Sequence, residues 1–285
     1  MDPPKKIQKA ATPKLLRCVF KFAQASTITP DAYAQAADTT IGGFFFAARS
    51  CEHSKAPKPG RTKLLTLGCI QFRGRDKRPI SRDSPLLSTL AEFVTVTFID
   101  QKNGIKMDAR TQRRTNDPVL CPVLRFCSAI KRILNTVPFA TDDTPLCSVS
   151  INGKVHLVNN SFVKILLRTT CALYGGHAEF GFHPHEIGNK SIRAGAAMAL
   201  FLMDHSPAKI MIMGRWSSDA FLDYIRPQVL EWTNNMSRDM IKIDDYLDLT
   251  SHDKTATSDP RLRTRRRSFN GDDSVILLPR FHLHH

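Results

Sequence analysis

The chain has 285 residues, 42% of them apolar, which allows one large domain or two modest ones around a sizeable core. Its 41 Lys and Arg against 26 Asp and Glu give a formal charge of +15, a balance that favours a polyanionic partner, nucleic acid ahead of a membrane surface or an acidic protein. No apolar run reaches the roughly 18–20 residues that span a bilayer, and no apolar stretch follows the charged opening MDPPKKIQKAATPK, so neither a membrane segment nor a secretory signal is expected.

Cys18, Cys51, Cys69, Cys121, Cys127, Cys147 and Cys171 are odd in number and scattered, with no C-x-x-C pair. That pattern reads as reduced thiols in a cytosolic or nuclear protein. HPH at 183–185 and HLHH at 282–285 lack partners at ligand spacing, so neither a metal site nor a cofactor is expected.

Residues 1–14 are polar and rich in Pro and Lys and are expected to form a loose basic arm. PKLLRCVFKFAQAS (13–26) and DAYAQAADTTIGGFFFAARSCE (31–52) carry apolar residues at helical spacing and predict helices. A basic insertion is expected over 54–92, irregular or short-stranded, with a surface suited to face nucleic acid. FVTVTFID (93–100) predicts a strand with Val94, Val96 and Phe98 on one face. Asn103-Gly104 then predicts a tight two-residue turn of type I′, which places Lys102 at the tip of a β-hairpin, with Lys106 as a nearby competitor for its role.

Farther on, DPVLCPVLRFCSAIKRIL (117–134) predicts an extended lead-in and a helix, and NGKVH (152–156) another small turn. SFVKILLRTTCALYG (161–175) reads as a helix capped by Ser161 and stopped at Gly175-Gly176. SIRAGAAMALFLMDH (191–205) predicts a helix with Ile192, Ala196, Ala199 and Met203 on one face, its small residues allowing close approach to a neighbour. Ser206 and Pro207 suit the start of a short helix closed by Gly214. Ser217 or Ser218 then caps a further short helix carrying Asp219 to Ile225, which Pro227 stops. Tyr224 falls in its last turn. A final helix is expected in PQVLEWTNNMSRDMIKI (227–243), followed by a disordered basic tail over 244–285.

One tyrosine in a basic chain raises a chemical question: what would have to surround it for its hydroxyl to attack a phosphodiester? With an ordinary pKa near 10 it is a poor nucleophile at neutral pH. Attack requires cations fixed around the non-bridging oxygens as charge builds on phosphorus. Arginine suits this role because its fork donates two hydrogen bonds to a phosphate and stays charged. The departing 5′ oxygen needs a proton, which a lysine supplies.

The chain has such a set in an order that resembles the tyrosine recombinases of the phage-integrase type. FFFAARSCEH (44–53) resembles the box of the first arginine, here Arg49, with Glu52 following. IGNKSIRAGAAMAL (187–200) resembles the H-x-x-R box, with Arg193 as second arginine. MGRWSSDAFLDYIR (213–226) resembles the box that holds a His or Trp and then the tyrosine, here Trp216 and Tyr224. Lys102 lies between the first two boxes, where the family places its hairpin lysine. The wording of the later boxes is similar to eukaryotic mobile-element versions of the crypton and DIRS kind, and the likeness covers roughly residues 15–240.

The resemblance implies an α+β fold, a mainly helical integrase-like catalytic domain over 15–243 with a small antiparallel sheet. It further implies that Arg49 and Arg193 clamp the scissile phosphate, Lys102 protonates the leaving 5′ oxygen, Trp216 donates its indole N–H to a phosphate oxygen, and Tyr224 forms a 3′-phosphotyrosyl bond. Double-stranded DNA is the implied partner, with a homo-tetramer on DNA that exchanges residues 228–243 between copies, and the nucleus is the implied compartment.

Two departures stand out. Lys190 replaces the family's His, and since a lysine is already protonated at neutral pH it is expected to serve as a phosphate cation rather than a base. The family's N-terminal core-binding domain has no counterpart in the few residues before 15, so weak, salt-sensitive DNA binding is expected. The alternatives are a catalytically inactive DNA-binding relic of such a recombinase and a type IB topoisomerase-like activity.

Overall fold

A computed structural model describes residues 8–58, 60–101, 104–115, 117–217 and Leu222. All belong to a unit spanning 1–232. The Thr12 hydroxyl accepts the Leu15 backbone N–H at 3.2 Å and Pro13 takes the first helical position, which starts α1 (Pro13–Ala25). Leu15, Leu16, Val19 and Ala23 form its buried face. Residues 8–12, expected within a loose arm, instead run against the segment around 186–191: Lys9 N–H donates to the Glu186 carbonyl at 3.0 Å and Ala11 N–H to that of Ser191 at 2.8 Å. Ala10 and Ala11 are buried there.

Helix α2 (Pro30–Phe45) is buried over most of its length and forms the centre of the molecule. Its polar residues Gln35 and Asp38 face α5 (Pro122–Thr136). Arg125 and Arg132 each donate to one oxygen of Asp38 at 2.8 Å, and Arg132 also donates to Gln35 Oε1 at 2.6 Å. Burial of this carboxylate is tolerable because both oxygens are paired.

The single helix expected over 31–52 is broken. After Phe45 the N–H groups of Ala47 and Ala48 close on the carbonyls of Phe44 and Gly43, Ala47 adopts φ 44°, and the chain restarts as α3 (Ser50–His53). Arg49 therefore precedes a short helix rather than ending a long one.

The basic segment is part of the body. It contributes β1 (Ile70–Arg73) and β2 (Pro79–Ile80) to an antiparallel sheet completed by β3 (Phe93–Asp100) and β4 (Lys106–Arg113) in the order β2-β1-β3-β4. A short helix, α4 (Leu87–Leu90), precedes β3. Val94, Val96 and Phe98 point inward as expected and join Phe46, Phe72, Phe126 and Ile130 in one core. The β3–β4 register pairs Asp100 with Lys106 and Phe98 with Asp108. It leaves an odd number of residues between the strands, so the turn is not a two-residue type I′. Gly104 at φ 84°, with its N–H bonded to the Gln101 carbonyl at 2.9 Å, closes the longer loop.

A second hairpin, β5 (Ser148–Ile151) and β6 (Lys154–Leu157), does turn in two residues, with Asn152 at φ 50° and Gly153 at φ 74°. Helix α6 (Asn160–Leu173) is capped by the Asn159 side chain, which accepts the Phe162 N–H at 2.9 Å, rather than by Ser161. Gly175 and Gly176 stop it, both at positive φ. Then come α7 (Gly176–Phe180), α8 (Lys190–Leu202) and α9 (Pro207–Gly214), the last capped by Ser206.

A second core joins α1, α2, α6 and α8. The expected close approach of α8 is real, since a β-carbon on Gly195 would sit 2.1 Å from the Ala11 carbonyl oxygen. Ile192 and Ala196 are buried and Ala199 packs beside them, but Met203 lies past the helix end and is exposed. Among the described residues no helix is long and apolar enough to cross a membrane.

Candidate active site

The break between α2 and α3 places Arg49 over Glu52. The Arg49 backbone N–H donates to Glu52 Oε2 at 2.7 Å, and its Nη1 donates to Glu52 Oε1 and to Gln101 Oε1, each at 3.1 Å. The Glu52 side chain is 1% exposed and that of Arg49 is 21% exposed, so the arginine forms the open edge of the pair.

Glu52 is held from the other side by Arg215, at the C-terminal cap of α9. Its Nη1 donates to Oε1 at 3.0 Å and its Nη2 to Oε2 at 2.9 Å. Each arginine thus gives the carboxylate two donors, which fills its acceptor capacity. Burial raises the Glu52 pKa, but the hydrogen bonds and charge of Arg215, with those of Arg49, outweigh it and hold the carboxyl below its ordinary value. Burial draws Arg215 downward against the pull of Glu52, yet a guanidinium remains charged at any working pH.

Gln101, at the base of the β3–β4 hairpin, joins the cluster. Its Oε1 accepts from Arg215 at 3.1 Å as well as from Arg49, and its Nε2 donates to Asp108 Oδ2 at 3.2 Å. Asp108 pairs with Arg110, whose Nε donates to the Ile212 carbonyl at 3.1 Å. The sheet is thereby tied to α9.

Arg193 lies in the first turn of α8 and is 7% exposed. It donates to the carbonyls of Ala47 and Gly214, the latter at 2.6 Å. Ala47 lies just before Arg49 and Gly214 just before Arg215, so Arg193 brackets the two loops that carry the other arginines. Trp216 lies with its ring 4.1 Å from the Arg193 guanidinium carbon. Face-on stacking of this kind orients the guanidinium by cation–π attraction. The ring thus lies beside the arginine that the resemblance assigns to the phosphate.

Lys190 opens α8 one helical turn before Arg193 and is exposed. Lys106, the competitor to Lys102, is exposed at the start of β4. Lys102 and Tyr224 lie outside the described residues, as do the segment 228–243 and the tail 244–285. Leu222, close to Tyr224 in sequence, packs with Ala197 and Ile210 of α8 and α9.

The fold therefore brings Arg49, Arg193 and Trp216 together and places Lys190 one turn from Arg193. It adds Arg215 and Gln101, which were not singled out from the sequence. In Arg215 the one available signal was an arginine set between a helix-ending Gly214 and Trp216. Arg49 and Arg215 share the one carboxylate of Glu52 and Arg193 bonds the loops that carry them, a positive balance suited to a phosphodiester.

No family model matches the chain, and no curated protein matches it. Among solved structures, the XerH site-specific recombinase bound to difH substrate in a pre-cleavage complex is similar, with TM-score 0.50 at 10% identity, covering 80% of this chain and 53% of that one. XerH bound to palindromic difH in a post-cleavage complex gives 0.49 at 12% identity, covering 81% and 54%. The Tn1549 transposon integrase in complex with a circular intermediate DNA gives 0.46 at 12%, covering 79% and 63%. This chain spans about half the length of the XerH chain. The fold is similar to that of the XerH recombinase chain, α+β with a small antiparallel sheet, as the sequence predicts.

Proposed function

We propose that the chain carries the catalytic domain of an enzyme that cleaves and rejoins DNA strands through a 3′-phosphotyrosyl bond, in recombination or integration. The main support is the convergence of Arg49 and Arg193, from distant boxes, on one network with Glu52, Gln101, Arg215 and Trp216.

In this reading the Tyr224 hydroxyl gives up its proton to solvent as its oxygen attacks phosphorus, and the P–O5′ bond breaks. Arg49, Arg193 and the Lys190 ammonium stabilise the charge on the non-bridging oxygens. Lys102 gives its proton to the departing 5′ oxygen. The phosphotyrosyl bond retains the free energy of the broken diester, so the reverse attack by a 5′ hydroxyl reseals the strand without a nucleotide. Duplex DNA is the substrate. A mobile-element origin, tetrameric assembly and nuclear residence belong to the same reading, on the resemblance of the boxes and the basic segment RLRTRRR.

A second reading, a DNA-binding protein without catalysis, draws on one observation. Arg193 already donates to two backbone carbonyls and is nearly buried. Single-turnover reaction with a nicked duplex separates the two. A covalent protein–DNA adduct that is lost in Tyr224→Phe, with duplex binding retained, supports the enzyme. Duplex binding without any adduct in the wild-type chain supports the inert binder.

A further inference from the structure

We propose that Arg215 is a positioning residue of this site: through Glu52 it sets the place of the Arg49 guanidinium, and it anchors the start of the segment that leads to Tyr224. This role rests on the strand-cleavage reading given above. The Arg215 side chain is 0% exposed, so it touches no substrate and acts only through its neighbours.

Stability alone does not call for an arginine here. A guanidinium is costly to bury, and a well-packed apolar side chain often serves a fold better than a buried ion pair. The backbone is also unfavourable, because Arg215 sits at φ 58° in the left-handed region, where a helix end ordinarily takes Gly or Asn. Its Nε is buried without a hydrogen-bond partner among the described residues. Strain and desolvation concentrated on one residue beside a candidate site point to a geometric purpose.

That purpose is visible in the bonds. The same Glu52 oxygens that take Nη1 and Nη2 of Arg215 take the backbone N–H and Nη1 of Arg49. Gln101 Oε1 is likewise shared between the two arginines. Without Arg215, Glu52 loses half its donors and becomes an under-paired buried carboxylate, and Arg49 loses its fixed support. Phe98 holds the Arg215 guanidinium from below, with the guanidinium carbon 3.3 Å from the ring centre. The next residue in the chain, Trp216, stacks on Arg193. The cap of α9 is thus a common reference point for Arg49 and Arg193.

The test is single-turnover adduct formation on a nicked duplex at saturating protein, with Arg215→Lys, Glu52→Gln and Arg49→Ala singly and in pairs. Arg215→Lys and Glu52→Gln are each expected to slow cleavage about 100-fold, the scale of a small misplacement of a reacting group. Duplex affinity should fall by no more than about 10-fold, the loss from one displaced phosphate donor, so that saturating protein isolates the effect on the chemical step. Added to Arg49→Ala, Arg215→Lys should slow the step less than about 3-fold further, because the residue it acts through is already gone. Losses that multiply, or an unchanged rate in Arg215→Lys, overturn the proposal. Glu52→Gln preserves side-chain shape and serves if Arg215→Lys does not fold.

Phosphate binding separates this role from strand cleavage. The chain has two tryptophans, so Trp232→Phe leaves Trp216 as the fluorescent reporter for a titration with inorganic phosphate. Arg215→Lys in that background is expected to weaken phosphate about 10-fold, the loss from a displaced charged donor. That shift in a chain that forms no adduct removes the strand-cleavage reading and leaves the positioning role standing. An equal response in both chains, or none in either, overturns the positioning role.

Discussion

His53 closes α3 beside Glu52 with a ring that is buried and whose two nitrogens have no hydrogen-bond partner among the described residues. Burial lowers its pKa from 6.5 to about 4, against the pull of the Glu52 carboxylate. The folded state therefore keeps the ring neutral where the unfolded chain takes up a proton. This contribution to stability is complete above pH 6.5 and is lost as pH falls toward 4, about 3 kcal/mol over the whole window. Between pH 7 and pH 5 the share is about 2 kcal/mol. Urea unfolding at pH 7, 6 and 5 measures it, with His53→Leu as the control that removes the titration while filling similar space. The variant should match or exceed the wild type at pH 7, since no unpaired ring nitrogen remains, and should lose about 2 kcal/mol less on going to pH 5. Asp117, held at about 2 by the Arg17 hydrogen bond, titrates below this window. Parallel pH profiles for the two chains would refute the reasoning.

Three further outcomes are expected. Gly214→Ala puts a β-carbon 1.5 Å from the Trp216 ring; the stack over Arg193 must open, at about 1–3 kcal/mol in urea unfolding and with a change in tryptophan fluorescence. Arg193→Ala should raise the cleavage barrier by about 3 kcal/mol in single-turnover kinetics. It should also lower stability by about 1–3 kcal/mol, because the carbonyls of Ala47 and Gly214 lose a buried donor. Lys190→His should retain or increase adduct formation, since it restores a group able to accept the tyrosine proton near neutral pH; a collapse in rate would place the second box elsewhere.

The sequence resolves those features that local chemistry decides. The alternation of FVTVTFID, the Ser206-Pro207 start of α9 and the Gly175-Gly176 stop each act within a few residues, and each is found in the fold. The Asn152-Gly153 pair makes the expected two-residue turn, whereas the register of β3 and β4 leaves too many residues between them for one. Strand register, set by Val94, Val96 and Phe98 facing the core, overrides the turn preference there. Helix propensity likewise carries the reading through Phe46–Glu52, whereas a local cap, with Ala47 at positive φ and the N–H groups of Ala47 and Ala48 on the carbonyls of Phe44 and Gly43, ends α2 ahead of Arg49. The arm at 8–12 is composed like a tail but is pinned by backbone bonds to partners far along the chain. Arg49 and Arg193 are legible because they sit in recognisable boxes. Arg215 and Gln101 are not, because their importance lies in burial and in partners that are distant in sequence.

Gln101 carries one more implication. It is rooted in the hairpin, and it shares a single amide oxygen between Arg49 and Arg215 while its nitrogen grips Asp108 on the opposite strand. Any sideways pull on that ribbon must redraw the bonding of two guanidinium groups at once. The ribbon is thus a lever set directly against the charged heart of the molecule, and whatever seats against it is felt there without passing through the helices.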